Sequence, residues 1–293
     1  MKSRKDLQMG KVINFHKVTD SQWFETVVCF LKSHYTMIGA EQLIKYYYNR
    51  SELPPKSCLI TVDDGEMTSY SVIYPILKKY QVPAIFFVSP QKTVRSGENS
   101  NFWFQEVESY ENSEELMSQI HNGPYTVDEI WELIIEYRRE HHTEELEDQN
   151  MTLEQVLEID REGLVTIGAH TLEHPFLARE SEERSAYEIN ASMELLSSLL
   201  GHPIRTFAYP NGQPGLDFGQ REIDVLAKTS CQIAFSTEPK DFSNQDSPFA
   251  IPRFGLSCGS LLFIWIKLML GSHYLTIKNI ILRMGRIVNI ENR

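Results

Sequence analysis

Two adjacent carboxylates and a pair of histidines are the residues of this sequence best suited to chemistry. Asp63 and Asp64 follow an apolar, β-branched run that begins at residue 58, and His170 and His174 follow a second strand-like run. Two ionised carboxylates this close repel each other, so a nearby cation is the simplest way to keep both deprotonated. Histidine nitrogens and carboxylate oxygens are common metal ligands. The two motifs together therefore indicate a site for a divalent ion.

The elements that must position these residues are strand-like segments that alternate with helical ones. Seven such segments occur, at 11–15, 58–62, 84–88, 164–169, 205–209, 233–236 and 249–251. The alternation predicts an α/β fold, and seven strands favour a parallel (β/α) barrel. Polar clusters follow the ends of five of these segments, at His16, Asp63, His170, Asn211 and Arg253. In such barrels this face carries the chemistry.

The acidic segment 91–160 interrupts the barrel pattern. Residues 95–160 hold 3 basic and 18 acidic residues, net −15, against −12 for the whole chain. We interpret 91–160 as a helical insert in a domain that spans 1–256. Acidic helical faces usually serve solubility. The aromatic run 102–104 indicates a small satellite core, although a lid over the site is an alternative.

The segment 257–293 has the opposite charge, with 5 basic residues and 1 acidic one. The apolar run 261–270 is too short to span a bilayer. Residues 277–288 have the pattern of a basic amphipathic helix, which would either lie on an anionic membrane surface or pack on the barrel. The N-terminus lacks an apolar signal region, so we expect a cytoplasmic protein, peripheral at the inner membrane if the tail binds lipid.

Composition excludes two further classes. The four cysteines are scattered without a CxxC pair, which argues against a zinc ribbon or a disulfide framework. No basic stripe with aromatic or groove-reading elements is present, so the sequence gives no sign of a nucleic-acid partner.

The apolar spacing over 68–80 predicts a single helix, kinked at Pro75.

Several stretches together resemble the polysaccharide deacetylases of carbohydrate esterase family 4, the NodB-homology domain. The matching motifs are TVDDG at 61–65, IGAHTLEHP at 167–175 and TFAYPNG at 206–212. The passage 74–88 and the tripeptide 251–253 are also similar. The resemblance implies a distorted (β/α)7 barrel. It also implies a hydrolase that uses a metal ion to remove N-acetyl groups from a sugar.

The resemblance also assigns roles to individual residues. By this likeness Asp64, His170 and His174 are the metal ligands, and zinc is the first choice, with cobalt or nickel as alternatives. Asp63 would be the general base that takes a proton from the attacking water. The backbone N–H of Asn211, where the family more often has an aromatic residue, would stabilise the oxyanion.

The sequence also departs from the family pattern. An arginine that many members place before Tyr-Pro is Ala208 here, and we expect Arg253 to hold Asp63 instead. The late aspartate motif is not recognisable. The late histidine that usually acts as general acid is absent, since His273 lacks that context. We interpret His16 as the substitute acid, because a subgroup acting on poly-N-acetylglucosamine has a similar strand-then-histidine near its N-terminus.

Three functions are compatible with these motifs. The first is N-deacetylation of an N-acetylated glycan or glycolipid, such as a lipid-linked glycan or a cell-surface polysaccharide precursor. The second keeps the metal site but cleaves an O-acetyl ester or a non-sugar amide. The third is an inactive carbohydrate-binding relic, which the missing arginine and late histidine would favour.

Overall fold

A computed structural model describes residues 9–49, 51–94 and 100–271. Three features that the sequence singles out lie outside these residues: the N-terminal segment 1–8, the basic amphipathic helix expected at 277–288, and His273. Within the described part of the chain, every helix is too short or too polar to traverse a lipid bilayer.

Nine strands form one mostly parallel sheet. They are β1 (Met9–Phe15), β2 (Thr36–Met37), β3 (Ser57–Val62), β4 (Ala84–Val88), β5 (Val165–Ala169), β6 (Thr206–Ala208), β7 (Ile233–Phe235), β8 (Phe242–Ser243) and β9 (Phe254–Gly255). The order along the sheet is β7-β6-β5-β4-β3-β1-β8, and β2 and β9 pair with β3 and β1. All six residues of β3 are buried, as expected of a strand that is covered on both faces.

The segment 251–255 joins the two edges of the parallel sheet. Ile251 makes a parallel bridge to Phe235 of β7, and Phe254 pairs with Ile13 of β1. The seventh strand is therefore split between two neighbours, and the predicted distorted (β/α)7 barrel is confirmed. The expected strand at 249–251 is reduced to one bridging residue, since the chain crosses from β7 to β1 within five residues.

The described part of the chain contains eleven α-helices, ten of them between strands and the last one after β9. They are α1 (Ser21–His34), α2 (Ala40–Asn49), α3 (Tyr74–Tyr80), α4 (Pro90–Val94), α5 (Trp103–Ser109), α6 (Glu114–Asn122), α7 (Val127–His141), α8 (Leu153–Glu162), α9 (Glu182–Leu200), α10 (Gln220–Leu226) and α11 (Leu261–Leu270). Capping residues explain where these helices begin and end, as in α9. Ser181 caps the N-terminus of α9 through its side chain, and Gly201 ends α9 in the left-handed conformation.

The helix predicted over 68–80 is present as one continuous helical run over residues 67–80. Residues Ser69–Ile73 have π-helical hydrogen bonding, and α3 follows directly at Tyr74. Pro75 is the second residue of α3, so the wider π turn lies directly before the residue that lacks an N–H. The kink expected at Pro75 stays a prediction.

The chain between β4 and β5 builds a core of its own. Residues of α5, α6 and α7 form a hydrophobic cluster that includes Trp103, Ile120 and Ile130. The predicted satellite core around the aromatic run is therefore present. In contrast, α8 places Val156 and Ile159 in the main barrel core.

The last described helix packs on the barrel along one side. In α11 the side chains of Ile264 and Leu268 are buried in the main core, while Leu262, Trp265 and Met269 are exposed. The division of the chain into a barrel, an insert and a tail stays a prediction.

Candidate active site

The turn after β3 places the two aspartates at the mouth of the barrel. Asp64 and Gly65 both have a φ of 72°, in the left-handed region. A Cβ at Gly65 would lie 2.9 Å from Cγ1 of Val88, so this turn requires glycine for space as well as for conformation. The tight turn lets consecutive carboxylates face different partners at the same barrel end.

Asp64, His170 and His174 converge on one point. Oδ1 of Asp64 lies 3.5 Å from Nε2 of His170 and 3.6 Å from Nε2 of His174. The three candidate ligand atoms all lie within 4.8 Å of one another, and all three residues are buried. Nδ1 of His170 hydrogen-bonds the backbone carbonyl of Ala208 at 2.7 Å. If Nδ1 carries the proton, the lone pair of Nε2 is left free.

The charge states of His174 and Asp64 suit metal binding, whereas burial of His170 is outweighed by Asp64 and Asp63, which raise the pKa of its imidazole. Burial, followed by the neighbouring His170, lowers the pKa of His174 to about 3, so its imidazole is neutral. Burial opposes ionisation of Asp64, but the two histidines and His16 outweigh it and lower the pKa of this carboxyl. A neutral imidazole and an ionised carboxylate are the forms that bind a metal ion. Nδ1 of His174 is buried without a hydrogen-bond partner. Two nitrogens and one oxygen thus fit a divalent ion with open positions.

Asp63 faces an arginine. Nη1 and Nη2 of Arg253 donate to Oδ1 and Oδ2 of Asp63 at 2.7 and 2.8 Å, and Nδ2 of Asn14 donates to Oδ2 at 3.0 Å. Burial alone would raise the pKa of Asp63, but Arg253, His170 and His16 hold it below its usual range. The result is an ionised carboxylate with a fixed orientation beside the candidate metal ligands.

Arg253 is itself held by the barrel interior. It is 0% exposed, and its Nε donates to the carbonyl of Ser236 at 2.9 Å. Nη1 also lies 3.2 Å from Oδ1 of Asn14 and from Oγ1 of Thr61. The small, buried side chain of Ala208 contributes no charge. The guanidinium therefore reaches Asp63 from the segment that closes the barrel.

His16 and Asn211 both line the cavity at this centre. The side chain of His16 is 54% exposed, and its Nε2 lies 3.8 Å from Oδ2 of Asp63. Asn211 adopts a φ of 56°, and its carbonyl accepts a 2.7 Å hydrogen bond from Oγ1 of Thr237. Nδ2 of Asn211 is buried without a partner, so the side chain offers a donor as well as the backbone.

A cavity of about 330 Å³ opens above these residues. Its volume is in the range of small-molecule sites. Part of its wall comes from the satellite core, which supplies Trp103, Phe104, Glu108, Met117 and His121. The ring of Phe104 lies 4.9 Å from the ring of His174, and Nε1 of Trp103 donates to the carbonyl of His174 at 3.0 Å. The chain between β4 and β5 therefore shapes the approach to the metal ligands.

The structure brings all seven site residues expected from the sequence to one end of the barrel. Six line the cavity, and Arg253 lies behind Asp63. Their catalytic roles stay predictions. Sequence reasoning missed Asn14 and Thr61. Their role could have been suspected from the sequence, because both are polar residues inside otherwise apolar strands. It also missed the contribution of Met117 and His121, for which the sequence has no local signal.

Comparison with known proteins gives the family. The sequence model of the family described as polysaccharide deacetylase matches residues 50–229, which is more than half of the chain. The chain belongs to the polysaccharide deacetylase family. Members of this family are hydrolases, so the barrel, the aspartate pair and the histidine pair belong to an enzyme.

Two curated relatives carry a more specific name. The poly-β-1,6-N-acetyl-D-glucosamine N-deacetylase of Staphylococcus aureus (strain MSSA476) is 27% identical over 248 residues, 85% of this chain and 70% of that protein. The enzyme of the same name from Staphylococcus epidermidis is 34% identical over 83 residues, 28% of each chain.

Solved structures support the fold. A de-N-acetylase from Aggregatibacter actinomycetemcomitans superposes with a TM-score of 0.64 at 19% identity, covering 89% of this chain and 100% of that one. IcaB from Ammonifex degensii gives 0.62 at 21% identity, with 85% and 92% covered. At these identities the likeness shows a shared architecture.

Proposed function

We propose that this polysaccharide deacetylase is a metal-dependent N-deacetylase that hydrolyses acetamido groups of an N-acetylated glycan. The observation that carries the proposal is the convergence of Asp64, His170 and His174 within 4.8 Å, next to an Asp63 carboxylate held by Arg253. Zinc is the proposed ion, since two imidazoles and a carboxylate suit it, and cobalt or nickel would fit the same donors.

Asp63, Asn211 and His16 have separate roles in the proposed hydrolysis. When bound, a divalent ion lowers the pKa of water and polarises the substrate carbonyl. The ionised Asp63 accepts a proton from the attacking water, and Arg253 and Asn14 keep its oxygens in place. The N–H groups of Asn211 donate to the developing oxyanion. His16, at the open side of the cavity, donates a proton to the departing amine.

The proposed substrate is a chain of N-acetylglucosamine units. The staphylococcal relatives named for poly-β-1,6-N-acetyl-D-glucosamine match 85% of this chain, which supports this class. The half-buried Phe104 in the cavity wall also suits a sugar, because aromatic groups pack against the apolar faces of pyranose rings.

The test is turnover of β-1,6-linked N-acetylglucosamine oligomers, with free amine and acetate measured separately. Metal-free protein should be inactive, and added zinc, cobalt or nickel should restore equal amounts of amine and acetate. Asp64→Asn should lose metal and at least about 100-fold in rate, while the surface control Asp160→Asn keeps both. Acetate without amine from O-acetylated glycans would identify an esterase. Metal binding without turnover on either substrate would identify a carbohydrate-binding relic.

Cellular location is a separate proposal. We propose a cytoplasmic enzyme whose segment 257–293 contacts anionic lipid, on the basis of its net charge of +4. Flotation with anionic and neutral liposomes tests it, and a protein that stays out of both lipid fractions would contradict it.

A further inference from the structure

The loop that contains both histidine ligands has a strained backbone. Thr171 has a φ of 63° and His174 a φ of 57°, although neither is glycine and Thr171 is β-branched. Such a conformation is unfavourable for a residue other than glycine unless the surroundings impose it. Oγ1 of Thr171 accepts from the backbone N–H of His174 at 3.2 Å, which accounts for one constraint. The backbone of residues 172 and 173 needs a second constraint.

A buried carboxylate supplies that constraint from α9. Glu188 is 0% exposed, and its Oε2 accepts from the backbone N–H of Leu172 at 2.9 Å and of Glu173 at 3.0 Å. Both donors converge on one oxygen, so neither the 171–172 peptide nor the 172–173 peptide can rotate without losing a hydrogen bond. These two peptides lie between His170 and His174 in the chain.

The carboxylate is held in turn by an arginine one turn earlier on α9. Nη2 of Arg184 lies 3.1 Å from Oε1 of Glu188, and the Arg184 side chain is 32% exposed. Burial raises the pKa of Glu188, and the two N–H donors and Arg184 oppose that shift. The helix therefore presents a fixed carboxyl acceptor to the histidine loop.

The opposite side of the loop is tied to α4. The side chain of Glu173 accepts a 2.6 Å hydrogen bond from Nζ of Lys92, which is itself 2% exposed. The backbone of Glu173 is thus fixed by α9 and its side chain by α4. Both ties set where the chain places His174 relative to His170, whose ring centroids are 5.0 Å apart.

We infer that Glu188 is a positioning residue of the metal centre, which fixes the separation of the His170 and His174 ligand atoms through the backbone of Leu172 and Glu173. Glu188 touches no candidate ligand atom, and it acts through the loop. The inference rests on the metal centre of the proposed function. Removal of groups that orient metal ligands typically weakens metal affinity by about 10- to 100-fold.

The chain contains a matched control for this inference. Glu222 of α10 is 2% exposed, its Oε2 accepts from the backbone N–H of Gly219 at 2.8 Å, and its Oε1 accepts from Oγ of Ser185 and from Nε of Arg221. It is a buried glutamate with an arginine partner and a backbone donor, but it is bonded to a different loop. Its removal should cost comparable stability and leave the metal ligands in place.

The experiment titrates zinc into the metal-free protein against a competing chelator, with thermal unfolding of each metal-free variant measured in parallel. Glu188→Ala should weaken zinc affinity by about 10- to 100-fold. Glu188→Gln should stay within about threefold of the unmodified protein, since one amide oxygen can accept both N–H donors. Glu222→Ala should bind zinc normally although its unfolding temperature falls.

A second pair of variants decides the question if Glu188→Ala does not fold. Arg184→Ala and Arg221→Ala remove side chains that are 32% and 33% exposed. Arg184→Ala should weaken zinc affinity by about 3- to 10-fold, and Arg221→Ala should not. Equal affinities within both pairs would overturn the inference and leave the proposed function standing. Failure of the unmodified protein to bind zinc, cobalt or nickel would instead overturn the metal centre itself.

Discussion

Replacement of Arg253 by methionine tests how the barrel keeps Asp63 ionised. The change removes two charge-assisted hydrogen bonds, of 2.7 and 2.8 Å, from a carboxylate that is 3% exposed. Of the nearby hydrogen-bond donors, Asn14 remains. Breaking a buried ion pair on one side costs about 3–5 kcal/mol, a large share of a typical total of about 5–15 kcal/mol. With a urea m-value of roughly 3 kcal/mol/M, the unfolding midpoint should fall by more than about 1 M.

The difference in stability between the unmodified protein and Arg253→Met should change with pH in a defined direction. In the unmodified protein the pKa of Asp63 is lowered, so its contribution to stability is present above the ordinary value of about 3.9 and lost as the pH falls through the lower folded value. In Arg253→Met burial dominates and raises the pKa. Ionisation then opposes folding, so the stability gap between the two proteins should widen from pH 5 to pH 8. The acidic limb of kcat/KM should move to higher pH for the same reason.

Two further variants make the result interpretable. Arg253→Lys keeps the charge but loses the two-point contact, so it should recover only part of the stability. The control Arg205→Met breaks a 2.7 Å ion pair with Glu41 at the surface and should cost less than about 1 kcal/mol. Equal urea midpoints for Arg253→Met and Arg205→Met, with an unmoved pH profile, would refute the reasoning.

Three shorter predictions concern the acid, the barrel wall and the surface. His16→Ala should lower kcat by about 10²- to 10⁴-fold with metal content unchanged, and an unaltered rate would remove His16 from the mechanism. Gly168→Ala places a Cβ 2.4 Å from Oγ1 of Thr206 and should cost about 1–3 kcal/mol in urea unfolding, whereas Gly255→Ala meets no atom within 4 Å and should cost much less. A hydrogen bond from the His202 imidazole to Asp160 raises the pKa of His202. Stability from the charged imidazole is therefore present below about pH 6.5 and lost as the pH rises through the higher folded value. His202→Gln should flatten this pH dependence of stability, by under about 1 kcal/mol at this half-exposed site.

The parts of the site that the sequence predicts are those with a local signal. Asp63, Asp64 and the two histidines interrupt apolar runs, and residues that follow parallel strands must meet at one end of a barrel. The same logic applies to Asn14, a polar residue within the strand that precedes His16. Its burial was readable from the pattern, but its hydrogen bond to Asp63 depends on the register of β1 against β3.

Other features depend on contacts that no local pattern records. The strands β2, β8 and β9 have two residues each, which is too short for any periodicity. Glu188 reads as an ordinary polar residue of an amphipathic helix, and only the packing of α9 beneath the histidine loop shows why it is buried. The position of Met117 and His121 in the cavity wall likewise follows from how the satellite core folds back over the barrel.

The way in which residues 251–255 complete the barrel has a consequence for biosynthesis. Arg253 is 190 residues from Asp63 along the chain. The same short segment supplies the guanidinium and pairs with both β7 and β1, which closes the barrel. At about 5–20 residues per second, a ribosome needs roughly 10–40 s to cover that interval. During this time Asp63 lacks its arginine partner and the barrel has an open seam. Closure of the barrel and pairing of Asp63 with Arg253 therefore wait for the same five residues to be synthesised.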